Sequence, residues 1–194
     1  MLRIFRQWVS RVPSPNTSKR PAGVSPRVIV IHSTESHERP GAARAVAQNW
    51  FALAKARVSA HYLVDPLEVV QCVPDELAAW HAGKINSVSI GIELCGKAGQ
   101  SADEWLDEHS KATLGRAAGL VAYLCKLHSI EVRVLTDAEL LASLTDPSTT
   151  GIVGHVDCSR VLGGTHWDPG PSFPWLDFMI AVRGYLELLD TGAP

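Results

Sequence analysis

Short continuous apolar runs alternate along this chain with longer stretches in which an apolar residue returns every third or fourth position. Val28-Ile29-Val30-Ile31 is β-branched throughout, the pattern of a strand covered on both faces. Its polar end, His32-Ser33-Thr34, then emerges at a sheet edge, where open α/β sheets place their ligands. Residues 41–55 read as a helix in which Ala45, Gln48/Asn49 and Ala52 separate an apolar side from a polar one. The alternating segments Ala60–Asp65 and Glu68–Val73 flank the turn former Asp65-Pro66-Leu67 and predict a hairpin. Ser87–Leu94 is a further apolar strand whose end bears a carboxylate, Glu93. Residues 102–128 predict one long helix, with Leu106, Leu114, Ala117, Val121, Leu124 and Cys125 on its buried stripe. Beyond it the pattern predicts a short strand at 131–135, a small helix at 137–144 and turn chemistry at 145–151. A last short strand at 152–155 and an amphipathic helix at 174–189 close the chain. Interleaved strands and helices with one tight hairpin imply an α/β fold, a central mixed β-sheet flanked by helices.

Residues 11–25 break this rhythm. They are rich in Pro, Ser, Lys and Arg and read as an extended lead-in or linker. The expected organisation is therefore a basic, Pro-rich lead-in over 1–25, one domain over 26–190 and a tail at 191–194. At 194 residues and 46% hydrophobic content, one sizeable core and a single domain suffice. The formal net charge of -2 argues against a general nucleic-acid binder, which would normally show a basic face. No apolar run reaches membrane-spanning length, so no membrane insertion is expected. Met1-Leu2-Arg3-Ile4-Phe5-Arg6-Gln7-Trp8 is basic and amphipathic, but no continuous apolar core follows it, so no signal peptide is read. Four widely spaced cysteines without a CxxC pair read as buried free thiols rather than a disulfide framework.

Chemistry concentrates in the last third. Gly154-His155-Val156-Asp157-Cys158 is followed by Thr165-His166-Trp167-Asp168-Pro169-Gly170-Pro171. A histidine closing an apolar run and an aspartate held before Pro-Gly-Pro look like two ligands of one metal, and His32 is a third candidate. Two histidines and a carboxylate make a zinc set that leaves a coordination position for water. Asp157, Cys158 and His166 are also ligand-type residues, and Cys158 would suit zinc on softness alone. A lone histidine at a strand end is more commonly a satisfied core residue. Glu93, ending an apolar strand, would be partly desolvated and its proton affinity raised, as a general base requires.

Six motifs in order carry a resemblance: Val-Ile-His-Ser-Thr, Val-Ser-Ala-His-Tyr-Leu-Val, Ala-Trp-His-Ala-Gly, Ser-Ile-Gly-Ile-Glu-Leu, Gly-His and Asp-Pro-Gly-Pro. From about Pro26 to Tyr185 the chain resembles the zinc-dependent N-acetylmuramoyl-L-alanine amidases of the type-2 amidase fold, which also contains the peptidoglycan recognition proteins. The resemblance implies that His32, His155 and Asp168 bind Zn2+, the aspartate being selected because it stands immediately before Pro-Gly. It implies that Glu93 is the catalytic carboxylate. His166 takes a position where many members carry lysine; an imidazolium there would stabilise the transition state, and would lose its charge at lower pH than a lysine. Ala60 stands where some members place a catalytic tyrosine, which leaves the base role to Glu93.

His61, Trp80, His81 and Asn86 are the substrate-side candidates. His61 on a strand reads equally as core or as a support behind a ligand. Trp80 and His81 suit sugar stacking and hydrogen bonding to a stem peptide, against the plainer reading of a tryptophan that anchors a loop. Asn86 would hydrogen-bond peptide carbonyls. The function expected is a monomeric zinc amidase cutting between the muramic lactyl group and L-alanine of peptidoglycan. It would be made in the cytoplasm and act on the wall in the manner of a phage endolysin, released by a separate device such as a holin. A non-cutting peptidoglycan-binding module, a recycling amidase for wall fragments and a zinc hydrolase for another amide are the alternatives.

Overall fold

A computed structural model describes residues 9–191. The amphipathic start at 1–8 and the tail residues 192–194 lie outside the described residues. The described strands are β1 (Val9–Arg11), β2 (Thr17–Lys19), β3 (Val28–Ser33), β4 (Tyr62–Val64), β5 (Val69–Gln71), β6 (Leu77–Ala79), β7 (Ser89–Leu94) and β8 (Gly151–Gly154). Six of them form one sheet in the order β1-β5-β4-β7-β3-β8, and β2 pairs with β6 in a small second sheet. Strands β4, β7, β3 and β8 run parallel, whereas β5 returns antiparallel to β4 through the expected hairpin. The Asp65 carboxylate holds that turn by accepting the N–H groups of Leu67 and Glu68, and it also accepts the buried N–H of Ala43. The sheet is thus mixed, flanked by helices and folded as one α/β domain.

Both faces of the central strands are covered, which is why β3 reads as an unbroken apolar run. Ile29, Ile31, Ile90, Ile92 and Leu94 pack under helices α3 (Glu108–His128) and α6 (Trp175–Thr191). Helix α3 is preceded by the short α2 (Ala102–Trp105). The expected single helix breaks there because Asp107 caps α3 by accepting the N–H of Ser110. On the opposite face, Val28, Val30 and Val153 pack with Ile85, Leu140 and Leu162. Leu140 belongs to α4 (Asp137–Ala142) and Leu162 to α5 (His155–Leu162).

Four local expectations change. The helix over 41–55 is a short α1 (Ala42–Val46) that widens into a π-turn over Ala47–Phe51. The segment 131–135 contributes an isolated bridge, Val134 to Ile152, rather than a strand. His155 does not end a strand but opens α5, where Asp157 accepts the N–H of Gly154. The lead-in is extended but is no free linker. Strand β1 pairs with β5 and β2 with β6. Arg20 inserts its guanidinium among the backbone oxygens of Asp75, Asn86, Ser87 and Ser89. The four cysteines are free and buried.

Candidate active site

Sheet register assembles the site. In β3 and β7, His32 stands opposite Glu93, and the pairing of β3 with β8 runs up to Ile31 opposite Gly154, so His155 follows beside His32. The carboxyl ends of three adjacent parallel strands therefore present Glu93, His32 and His155 side by side, at the edge where such sheets bind ligands. Alternation decides the face. Ile90, Ile92 and Leu94 point to α3, so Ser89, Gly91 and Glu93 point the other way.

The loop after α5 brings the third group. The N–H of Val156 donates to the backbone oxygen of Asp168 at 2.8 Å. Two glycines permit the approach. A Cβ on Gly154 would lie 2.9 Å from Pro169 Cδ, and one on Gly170 (φ +100°) would lie 1.8 Å from the oxygen of Ala98. His32 Nδ1 then lies 3.2 Å from Asp168 Oδ2, His155 Nδ1 lies 3.2 Å from Asp168 Oδ1, and the two Nδ1 atoms are 3.1 Å apart. All three residues are buried.

This donor set fits zinc. Ligand atoms at about 2.0–2.1 Å from a tetrahedral ion stand roughly 3.3–3.4 Å apart, close to the three separations found. Burial pulls His32 down to about 4 despite its contact with Asp168, so the ring is a neutral lone-pair donor. Burial opposes ionisation of Asp168, but the close approach of the His155 and His32 rings outweighs it and holds the carboxyl well below the usual range. Cys158 is not among the converging atoms. It packs inside, where burial pushes its thiol up to about 12. Asp157 caps α5 and pairs with Arg160.

A cavity of about 610 Å³ opens over His155 and Asp168. Glu93 lines it, with Oε2 buried and without a hydrogen-bond partner among the described residues. Burial, then the negative charges of Asp168 and Glu35, push Glu93 up to about 8. His166 stands at the rim, its side chain 65% exposed, stacked on His155 at 4.1 Å and with Nδ1 3.8 Å from Asp168 Oδ1. Trp80 lines the cavity and is anchored by donating its indole N–H to Ser18 Oγ.

The other substrate-side expectations change. His61 is 0% exposed and cannot touch substrate. Its Nδ1 accepts the N–H of Gly91, which leaves Nε2 to donate to the oxygen of Leu77. Burial, then the charge of Arg20, lowers His61 to about 4. Asn86 does not line the cavity; its Oδ1 accepts the N–H groups of His81 and Ala82. His81 borders the cavity, but its ring is engaged from below by His32 and Ser89. Sequence reasoning missed Arg39, Asn49 and Trp50 on the far wall. The π-turn carries the last two, and its changed phase is invisible to a search for 3.6-residue periodicity.

A family model described as N-acetylmuramoyl-L-alanine amidase matches residues 22–171. N-acetylmuramoyl-L-alanine amidase A of Achromobacter lyticus is 26% identical over 177 residues, spanning 89% of this chain and 92% of the relative. The 1,6-anhydro-N-acetylmuramyl-L-alanine amidase AmpD of Escherichia coli K12 is 28% identical over 193 residues, spanning 89% and 91%. Among solved structures, a selenomethionine derivative of AmpD superimposes with a TM-score of 0.63 at 27% identity, covering 90% of this chain and 94% of that one. The Staphylococcus aureus hydrolase AmiA, solved with its ligand, shares the fold with a TM-score of 0.65 at 20% identity, covering 95% and 85%.

Proposed function

Because the chain belongs to the N-acetylmuramoyl-L-alanine amidase family, enzymes that act on peptidoglycan, we propose that it is a zinc amidase. The bond cut is the amide between the lactyl group of N-acetylmuramic acid and the L-alanine of the stem peptide. His32, His155 and Asp168 would hold the metal. Bound zinc supplies a water acidified toward a pKa of about 7 and a Lewis acid for the carbonyl oxygen.

The chain's own groups supply the rest. Glu93 takes the proton of the attacking water and returns it to the departing alanine amine, a role that needs a proton affinity close to the working pH. A carboxylate pushed up to about 8 by burial meets that need, and a bound cation would bring it lower still toward neutrality. His166, exposed at the rim, donates to the oxygen on which negative charge develops. Trp80 and Trp50 offer aromatic faces along the cavity walls for sugar or peptide.

The observation that supports this reading best is a buried carboxylate oxygen left unpartnered in the cavity lined by His155 and Asp168, two of the three converging ligand residues. A pure binding module has no use for it, since an unpaired buried polar atom only costs stability. The relatives' names divide between muramoyl and 1,6-anhydromuramoyl substrates. Mass spectrometry of products from intact sacculi and from soluble 1,6-anhydromuramyl peptides tests both the bond and the substrate. Release of stem peptides with free alanine amino termini is expected. Products cut at any other bond would overturn the proposal, and the better substrate decides between wall lysis and fragment recycling.

A further inference from the structure

His81 was expected to face substrate, yet its ring is held by a chain of hydrogen bonds whose directions can be read. The hydroxyl of Ser89 donates to the backbone oxygen of Ile85 at 2.9 Å, and that oxygen can only accept. Ser89 Oγ therefore accepts from His81 Nε2, 3.1 Å away. The proton on Nε2 leaves His81 Nδ1 as a bare acceptor, and it lies 3.0 Å from His32 Nε2. His32 then carries its proton on Nε2. Its Nδ1, the atom facing His155 and Asp168, is left as a lone pair.

The ring of His81 has little freedom to depart from this arrangement. It lies against the bare backbone of β7, where a Cβ on Gly91 would come within 2.6 Å of His81 Cγ. From the other side, Asn86 Oδ1 accepts the N–H groups of His81 and Ala82 and fixes the loop. Ser89 and Gly91 share the site-facing side of β7 with Glu93, so one strand seats the ring, sets its tautomer and supplies the proposed base.

We propose that His81 is a positioning residue: the relay from Ile85 through Ser89 and His81 fixes His32 in the Nε2–H tautomer and so keeps its Nδ1 free to bind the metal. This rests on the metal reading of His32. A ligating histidine whose other nitrogen has lost its acceptor typically binds metal 10–100-fold less tightly.

The test is zinc affinity, measured by chelator competition, together with the imidazole 15N spectrum of the metal-free protein. His81→Leu keeps bulk but offers no acceptor. His81→Asn places Oδ1 where Nδ1 stood. We expect His81→Leu to bind zinc roughly 10–100-fold more weakly, with His81→Asn recovering most of the loss. Ser89→Ala should weaken binding in the same direction by less. In metal-free wild type the 15N spectrum should show His32 protonated on Nε2, a result that depends on no variant folding. Wild-type affinity in His81→Leu, no recovery in His81→Asn, or His32 protonated on Nδ1 would overturn the relay while leaving the zinc reading intact. Failure of the wild type to bind zinc would overturn both.

Discussion

Two cavities of nearly equal size lie in this molecule, about 610 Å³ at the carboxyl ends of β3 and β7 and about 620 Å³ between β1, β4 and α3. Each is lined by a carboxylate drawn away from water, Asp75 buried and Glu93 half-buried with Oε2 covered. In the second cavity, Asp75 accepts from the Tyr62 hydroxyl at 2.7 Å and from His128 Nε2 at 2.9 Å, and Gln71 donates to the same hydroxyl. In the first, Glu93 Oε2 has no partner among the described residues. Volume does not tell these two cavities apart; the hydrogen bonding of their carboxylates does. Asp75 is spent on stability, and Glu93 keeps the unspent acceptor that the proposed base needs.

Swapping each carboxylate for its amide should separate the two roles. Glu93→Gln should lower kcat/KM on muramoyl-alanine substrates by roughly 10²–10⁴-fold, with urea unfolding showing no loss of stability. Full activity in this variant would remove Glu93 from the mechanism. Asp75→Asn should do the reverse, costing about 1–3 kcal/mol in urea unfolding while leaving kcat/KM unchanged, because two buried donors compete for one remaining acceptor oxygen. A stable but inactive Asp75→Asn would break the comparison.

The pH dependence of stability sharpens it further. Glu93 has its folded pKa raised to about 8, chiefly by burial, so its contribution in metal-free protein is fully present below the unfolded carboxyl value and is lost as pH rises toward 8. The slope approaches about 1.4 kcal/mol per pH unit and should vanish in Glu93→Gln. For Asp75, burial acts to raise the pKa, but the bonds from His128 and Tyr62 outweigh it and leave the value lowered. Its contribution is therefore present above the unfolded value and is lost as pH falls. Denaturation of metal-free protein across pH 3–9 should show the two slopes with opposite sign, each removed by its own amide variant. The smallest effect belongs to Tyr62→Phe, about 1 kcal/mol in the same assay with unaltered cleavage.

The strands that carry the site were legible because burial on both faces leaves a continuous apolar run, as in Val28–Ile31. The hairpin was legible through Asp65. His155 was misplaced as a strand end because Gly154-His155 continues the apolar run, although Asp157, three residues beyond Gly154, is a helix-start signal. Arg20 left no trace because its partners are backbone carbonyls, which have no sequence pattern. His61, His81 and Asn86 were found as polar residues near the site, but their direction was not readable. Only register and the space above Gly91 show that His61 and Asn86 support from below what His81 holds from the side.

The most direct test of the account is elemental analysis of the purified protein, with muramoyl-alanine cleavage measured before chelation, after it and after zinc add-back. About one zinc per chain is expected, with activity lost on chelation and restored by zinc, and no bound zinc in Asp168→Ala. Cleavage that survives complete removal of the metal, or zinc retained at full stoichiometry in Asp168→Ala, would contradict it.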